Sequence, residues 1–151
     1  MSEISTIGID LGKRLFHVVG LDARGAVVLE RRCGRSGLMR LLGRLEPCRV
    51  GLEACATSHY RGRRLGALGH EVVLLPPQYV KPYRRGQKND LRDAAAIAEA
   101  VSRAGIPAVA VKSEAEQLPA TRVRVRAGQV RARTVLASGR RFEPTRAAAA
   151  G

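Results

Sequence analysis

Tryptophan is absent from the chain and aromatic residues make up only 3% of it, which excludes stacking of bases on a series of exposed rings as the main mode of binding. Phe16, Phe142, Tyr60, Tyr79 and Tyr83 are the whole aromatic set. The cysteines Cys33, Cys48 and Cys55 stand singly, with no CxxC pair. An odd, scattered set supports neither a disulfide framework nor a zinc site, and each is expected to be a small buried apolar residue. No apolar run approaches the ~18 residues of a membrane-spanning helix, and the opening MSEISTIGID lacks the basic and apolar regions of an export signal. A soluble, unexported protein of the cytoplasm is expected, with no membrane partner. Acid is scarce: 13 Asp and Glu face 27 Lys and Arg, for a net charge of +14. That excess selects a polyanion, DNA or RNA, contacted mainly through Arg and phosphate, and says nothing about fold.

What is present is unevenly spread. The chain of 151 residues suits one domain, but residues 116 to 151 carry eight Arg against Glu116 and Glu143, a net +6 of the total. From about residue 118 the sequence is mostly Ala, Arg and Gly, a poor basis for a packed core and expected to be disordered. Residues 1–117 read as the folded domain. ISTIGIDLG, LFHVVGLD and AVVLERRC are strand patterns, the last two joined by DARG as a hairpin turn. SGLMRLLGRL predicts a helix with its Ser as N-cap and apolar Leu38, Met39, Leu41, Leu42 and Leu45. CRVGLEA predicts a strand, SHYRGRRLGALG a helix closed by Gly69, and HEVVLLP a strand ended by Pro76. PPQYVKPYRRGQK predicts a loop or short helical turn, and DLRDAAAIAEAVSRAG an Ala-rich helix with Gly105 after its end. Three antiparallel strands followed by alternating helices and parallel strands make a mixed α/β sheet.

Four carboxylates break their local patterns. Asp10 interrupts the apolar strand IGIDLG and Glu53 the strand VGLEA; a carboxylate in a buried strand is costly unless paired, hydrogen-bonded or bound to metal. Asp90 and Asp93 open the last helix three residues apart, on one face. An oxygen-rich cluster of this kind suits Mg²⁺ or Mn²⁺, two of which can stabilise the attacking and leaving oxygens of phosphodiester cleavage. Bland readings stand beside this one. Asp90 and Asp93 also fit helix capping and dipole complementation, Asp10 a turn at Gly12, and Glu53 a pair with a nearby Arg.

Taken together, IGIDLGKRLFHVVGLD, GLEACATSHY, LGHEVVLLPPQYVKPY and KNDLRDAAAIAEAV resemble the DEDD-type transposases and site-specific DNA invertases of insertion sequences, over about residues 5 to 117. The resemblance implies an RNase H-like, RuvC-like N-terminal domain with Asp10, Glu53, Asp90 and Asp93 as catalytic metal ligands for Mg²⁺ or Mn²⁺. It also implies DNA strand cleavage and transfer, a guide-type structured RNA as a further partner, homo-oligomers in the full-length family, and a bacterial, nucleoid-associated location. Lys88 and Asn89 belong to the last motif. Two departures are visible. Arg61 follows Tyr60 where members often carry Trp, so packing of that helix is expected to change. Residues 118–151 resemble only faintly the start of the family's helical linker, and its C-terminal domain, which supplies a presumed serine nucleophile, is missing. A truncated copy, inactive alone, is the expectation.

Lys81, Arg84, Arg85 and Lys88 lie in a Pro- and Gly-containing loop before the last motif and are candidates for phosphate contacts. His59 and Tyr60 read first as packing at a helix start, His17 and His70 as structural or solvated, and Ser58 or Ser113 as N-caps. The competing function is a non-catalytic nucleic-acid-binding remnant of the same fold. A sugar-kinase or actin-like ATPase shares the IGIDLG opening, but no glycine-rich phosphate loops follow.

Overall fold

The computed structural model describes residues 3–86 and 89–117. The disorder expected for residues 118–151 and the role expected for Lys88 fall outside them. β1 (Thr6–Leu11), β2 (Phe16–Leu21) and β3 (Val27–Cys33) form an antiparallel meander. The β2–β3 turn is closed as the DARG pattern predicts: Asp22 Oδ1 accepts from the backbone N–H of Arg24 at 2.9 Å and of Ala26 at 3.0 Å, and Gly25 takes φ +83°. α1 (Arg35–Arg44) leads to β4 (Arg49–Glu53), α2 (Ser58–Ala67) to β5 (Glu71–Leu75), and both strands are parallel to β1. A short α3 (Pro77–Val80) and a 3₁₀ turn (Lys81–Tyr83) then feed α4 (Asp90–Ser102). The sheet order is β3-β2-β1-β4-β5, the RNase H-like mixed sheet expected from the sequence. After Gly105, at φ +81°, the chain returns along β5, where Val109 N–H donates to the Leu74 carbonyl at 2.8 Å.

Strand residues alternate between two helical layers, as the pleat requires. Ile7, Ile9, Val18, Val50, Leu52 and Leu74 pack with Leu38 and Leu42 of α1 and Leu65 of α2. On the other face, α4 lays Ala94 and Ala98 against Val19 and Leu21, and Ile97 and Val101 into a second cluster with Leu75 and Val80. Each large side chain so buried contributes roughly 1.5–3 kcal/mol.

Several capping and burial expectations fail. Gly34, not the following Ser36, is the N-cap of α1, because its extended backbone (ψ −176°) supplies the turn without a side chain. Ser58 is the first residue of α2 rather than its cap; its hydroxyl instead closes a loop by accepting from Cys55 N–H at 3.0 Å. Ser113 does cap a turn, in reciprocal bonds with Glu116. Cys33 and Cys48 are only half-buried and Cys55 is exposed, since each sits at a strand end or in a loop at the rim of the core.

The face that carries α4 has almost no side chains at its centre. Gly8 on β1 pairs with Gly51 on β4, and a Cβ on Gly8 would lie 2.1 Å from the Ala94 carbonyl oxygen and 2.3 Å from the Ala98 nitrogen. Backbone touches backbone there. Gly8→Ala is therefore expected to destabilise the domain by about 3 kcal/mol or more, because α4 must lift. Urea unfolding measures it, and a variant within ~0.5 kcal/mol of wild type, the range of a surface substitution, would show that α4 does not seat on Gly8.

Candidate metal centre

The pleat that sends Gly8 toward α4 sends Asp10 the same way, one step nearer the C-terminal end of β1. Glu53 stands two residues beyond Gly51 at the end of the neighbouring strand. α4 arrives with its first turn at that end. Asn89, in extended backbone, caps it by accepting from Arg92 N–H at 2.8 Å, so neither Asp90 nor Asp93 is needed as the side-chain cap. Asp93 faces inward, its side chain 5% exposed, while Asp90 is 65% exposed at the mouth.

Asp93, Asp90 and Glu53 all lie close enough to act on Asp10. Burial first, then the negative charges of Asp93, Asp90 and Glu53, push the Asp10 carboxyl above its ordinary range, against a smaller opposing pull from His17. Asp10, His17 and Asp90 each offer one ligand atom, all within 4.8 Å of one another. Donors to a single Mg²⁺, bound at about 2.1 Å, lie at most ~4.2 Å apart; small side-chain rotations close that gap.

His17 belongs to this centre, contrary to the structural or solvated role read from sequence. It is the cross-strand partner of Asp10, 7% exposed, with Nδ1 buried, without a hydrogen bond, and 3.8 Å from Asp90 Oδ2. The signal was the hairpin register, since the residue opposite a strand carboxylate shares its face. His70 and His59 are structural. The Nδ1 of His70 accepts from Cys48 N–H at 3.2 Å, leaving Nε2 to donate to the Leu42 carbonyl at 2.9 Å. His59 Nδ1 accepts from Lys112 N–H at 3.1 Å.

The basic loop divides. Arg84 turns inward, its Nη2 3.3 Å from Glu53 Oε2 and its Nε 3.1 Å from Asp93 Oδ1, so one guanidinium neutralises two members of the acidic set. Lys81 is exposed on the 3₁₀ turn, and Arg85 is 84% exposed, 3.4 Å from Glu99. Arg61 lies over the rings of Phe16 at 5.2 Å and Tyr60 at 5.3 Å. A flat cation in contact with two rings thus stands at the position where family members often carry Trp. Beside the cluster opens a cavity of about 480 Å³, lined by His17, Arg32, Asn89, Asp90 and Arg92 among others.

A crowded, half-buried acidic set with an orphaned imidazole nitrogen fits a hard divalent cation in its donor chemistry. The sequence model of the IS110-type DEDD family, described as Transposase, matches residues 7–138. A probable family 20 transposase of Pseudomonas aeruginosa is 46% identical over 134 residues, covering 89% of this chain and 40% of the relative. The transposase for insertion sequence element IS1328 of Yersinia enterocolitica is 40% identical over 133 residues, covering 88% of this chain and 40% of the relative. That for IS1111A of Coxiella burnetii is 35% identical over 136 residues, covering 90% and 37%. The chain thus spans about 40% of the length of these curated relatives. Among solved structures, T. thermophilus RuvC in complex with a Holliday junction substrate is similar, with TM-score 0.49 and 16% identity, covering 65% of this chain and 92% of that one. With the family match running over most of its length, this chain belongs to the IS110-type DEDD transposases.

Proposed function

We propose that the domain cleaves DNA strands during transposition, using Asp10, Glu53, Asp90 and Asp93 to hold Mg²⁺ or Mn²⁺, with His17 beside them. One observation carries the reading: carboxylates from two strands and a helix converge at one sheet end, where burial and then the neighbouring negative charges raise Asp10. The packing of the fold brings these positions together but does not require that they be charged. When bound, such cations supply Lewis-acid stabilisation of the oxygens at the scissile phosphate. The chain's own groups do the rest. Asp10 and Glu53 are fixed on rigid strands, Asp93 is buried at the floor, and Asp90 stands at the mouth beside the cavity where a phosphodiester would enter. Strand transfer belongs to the longer protein that the relatives represent, with DNA, and a structured guide RNA, as its partners.

A second reading, a nucleic-acid-binding domain without chemistry, is favoured by Arg84, which offsets the charge of Glu53 and Asp93 without any metal. Metal-dependent melting separates the two. For the nuclease reading, Mn²⁺ is expected to raise the melting midpoint of wild type and not that of Asp10→Asn. An unchanged wild-type midpoint, or an equal rise in the variant, would remove the metal site.

The electrostatics gives a pH prediction for the metal-free protein. The folded-state Asp10 carboxyl ionises above its unfolded value of 3.8, so its charge opposes folding at neutral pH, and the penalty fades as pH falls through the folded-state pKa into the ordinary carboxylate range. In EDTA, Asp10→Asn should therefore melt higher than wild type at pH 7, and the gap should close toward pH 4. A variant that melts lower at pH 7 would mean that Asp10 is stabilised where it sits.

Binding of DNA by the whole chain should be independent of sequence and steeply weakened by salt, since Arg and Lys contacts to phosphate release counterions. Affinity that barely changes between about 50 and 200 mM salt would contradict a phosphate-dominated interface.

A further inference from the structure

We propose that a groove along α4, running from the carboxylate cluster to the far end of the sheet, is the track for a single strand of DNA, with Arg92, Arg24, Arg85 and Arg103 contacting its phosphates. The choice of DNA rests on the nuclease reading above, because the groove opens into that cluster. The cavity beside His17 and Asp90 and a second one of about 620 Å³ share Arg92 and Ala95 in their walls. The second is bounded by the β2–β3 turn at Asp22 and Arg24, by Thr6 at the start of β1, and by Glu99 and Arg103 near the end of α4. The two together follow the length of α4, whose 13 residues span about 20 Å at 1.5 Å each. That is the length of about six phosphates at the 3.4 Å spacing of one strand in a stacked helix, and of fewer in an extended strand.

The lining has the chemistry of a phosphodiester track. Arg85 and Arg103 both lean on one oxygen of Glu99, each at 3.4 Å, so one negative charge serves two cations and leaves them under-compensated. Both remain reachable, with side chains 84% and 59% exposed. Thr6 lines the same cavity and is 6% exposed, and its Oγ1 is buried with no hydrogen-bond partner among the described residues, a donor available to a phosphate or sugar oxygen. Val27, 51% exposed, gives an apolar wall for sugar and base. The arginines flank the groove, Arg24 on the β2–β3 turn and Arg92 and Arg103 on and just past α4, so a single line of phosphates lying between them meets cations from both sides, whereas a duplex divides its phosphates between two strands. Of the four, only Arg85 was a phosphate candidate from the sequence, because Arg24, Arg92 and Arg103 are scattered along the chain.

The test uses the whole chain and a fluorescein-labelled eight-nucleotide single strand of mixed sequence, as DNA and as RNA, with anisotropy titrations in EDTA at several salt concentrations. Arg24→Ser combined with Arg103→Ser is compared with Arg40→Ser combined with Arg44→Ser, an equal charge loss on α1, which packs on the opposite face of the sheet. For DNA the groove pair is expected to weaken binding about tenfold or more and to flatten the salt slope by roughly 1.4, or 0.7 for each phosphate no longer neutralised. The α1 pair should change affinity less than about twofold. Thr6→Val, which keeps shape and removes only the unpartnered hydroxyl, should weaken DNA binding severalfold with a melting midpoint equal to or above that of wild type. Equal losses in the two pairs would reduce the groove to bulk charge and overturn the proposal, as would a loss seen with RNA but not with DNA. Mn²⁺ stabilisation of the groove pair should match wild type. Its absence in wild type would sink the nuclease reading, while the anisotropy comparison alone decides the groove.

Discussion

The contact on which the domain depends is the one between Gly8 and α4. A helix approaches a sheet only as closely as the intervening side chains permit, and here β1 and β4 each present a glycine at the same register. The Ala94 and Ala98 backbone comes down onto Gly8, and Ile97 and Val101 onto Gly51. Ala is the right residue above such a floor, small enough to seat and the best helix former. The consequence lies one turn away. With α4 held down, Asp93 is forced below the surface at the sheet end where Asp10 and Glu53 already point. The acidic set is thus an outcome of backbone packing, imposed at the cost of repulsion that the isolated elements would not feel.

That repulsion is divided unequally. Arg84 lies between Glu53 and Asp93, so those two are compensated within the fold. Asp10 has no cation in ion-pair contact among the described residues; its neighbours are the other acids and His17. The Asp10, His17 and Asp90 side is therefore where added positive charge gains most, and it is also the side that opens into the cavity. A buried pair that loses one partner is destabilised strongly because a charge is left uncompensated. Arg84 thus holds the floor together, while at the mouth Asp90 stands 3.8 Å from the His17 imidazole.

Much of this was legible in the sequence because it appears there as violation. Asp10 and Glu53 interrupt apolar strands, and Asp90 and Asp93 share a helical face, so each could be picked out singly and the resemblance then grouped them. The strands, the hairpin turn and the Ala-rich helix followed from period and punctuation in the same way. His17 was hidden because a histidine among apolar strand residues looks like ordinary alternation; only the β1–β2 register, which pairs it with Asp10, gives it meaning. Arg84 was hidden for the opposite reason. It sits among Lys81, Arg85 and Lys88, where one more cation reads as a phosphate contact, and nothing local says that one of the set turns inward. Ser36 and Ser58 misled because a hydroxyl near a helix start has the right chemistry for a cap, whereas the backbone of Gly34 and the Cys55 loop had already met that need.

The two faces of the sheet carry different burdens for a reason that begins with side-chain volume. The face toward α1 and α2 is filled with Ile, Leu and Val from every central strand and has no room for polar chemistry. The other face, cleared at Gly8 and Gly51, seats one small-residue helix in the middle and leaves polar residues at both ends of the same row: Asp10 at one, Thr6 at the other. Because strand residues two apart share a face, Thr6, Gly8 and Asp10 are a single line along β1, about 13 Å long at 3.3 Å per residue. A ligand lying along α4 meets both ends at once. The positive charge gathered at the Thr6 end and the negative charge at the Asp10 end then form one field, in which a phosphate chain is attracted along most of its length and repelled only where the carboxylates await a cation.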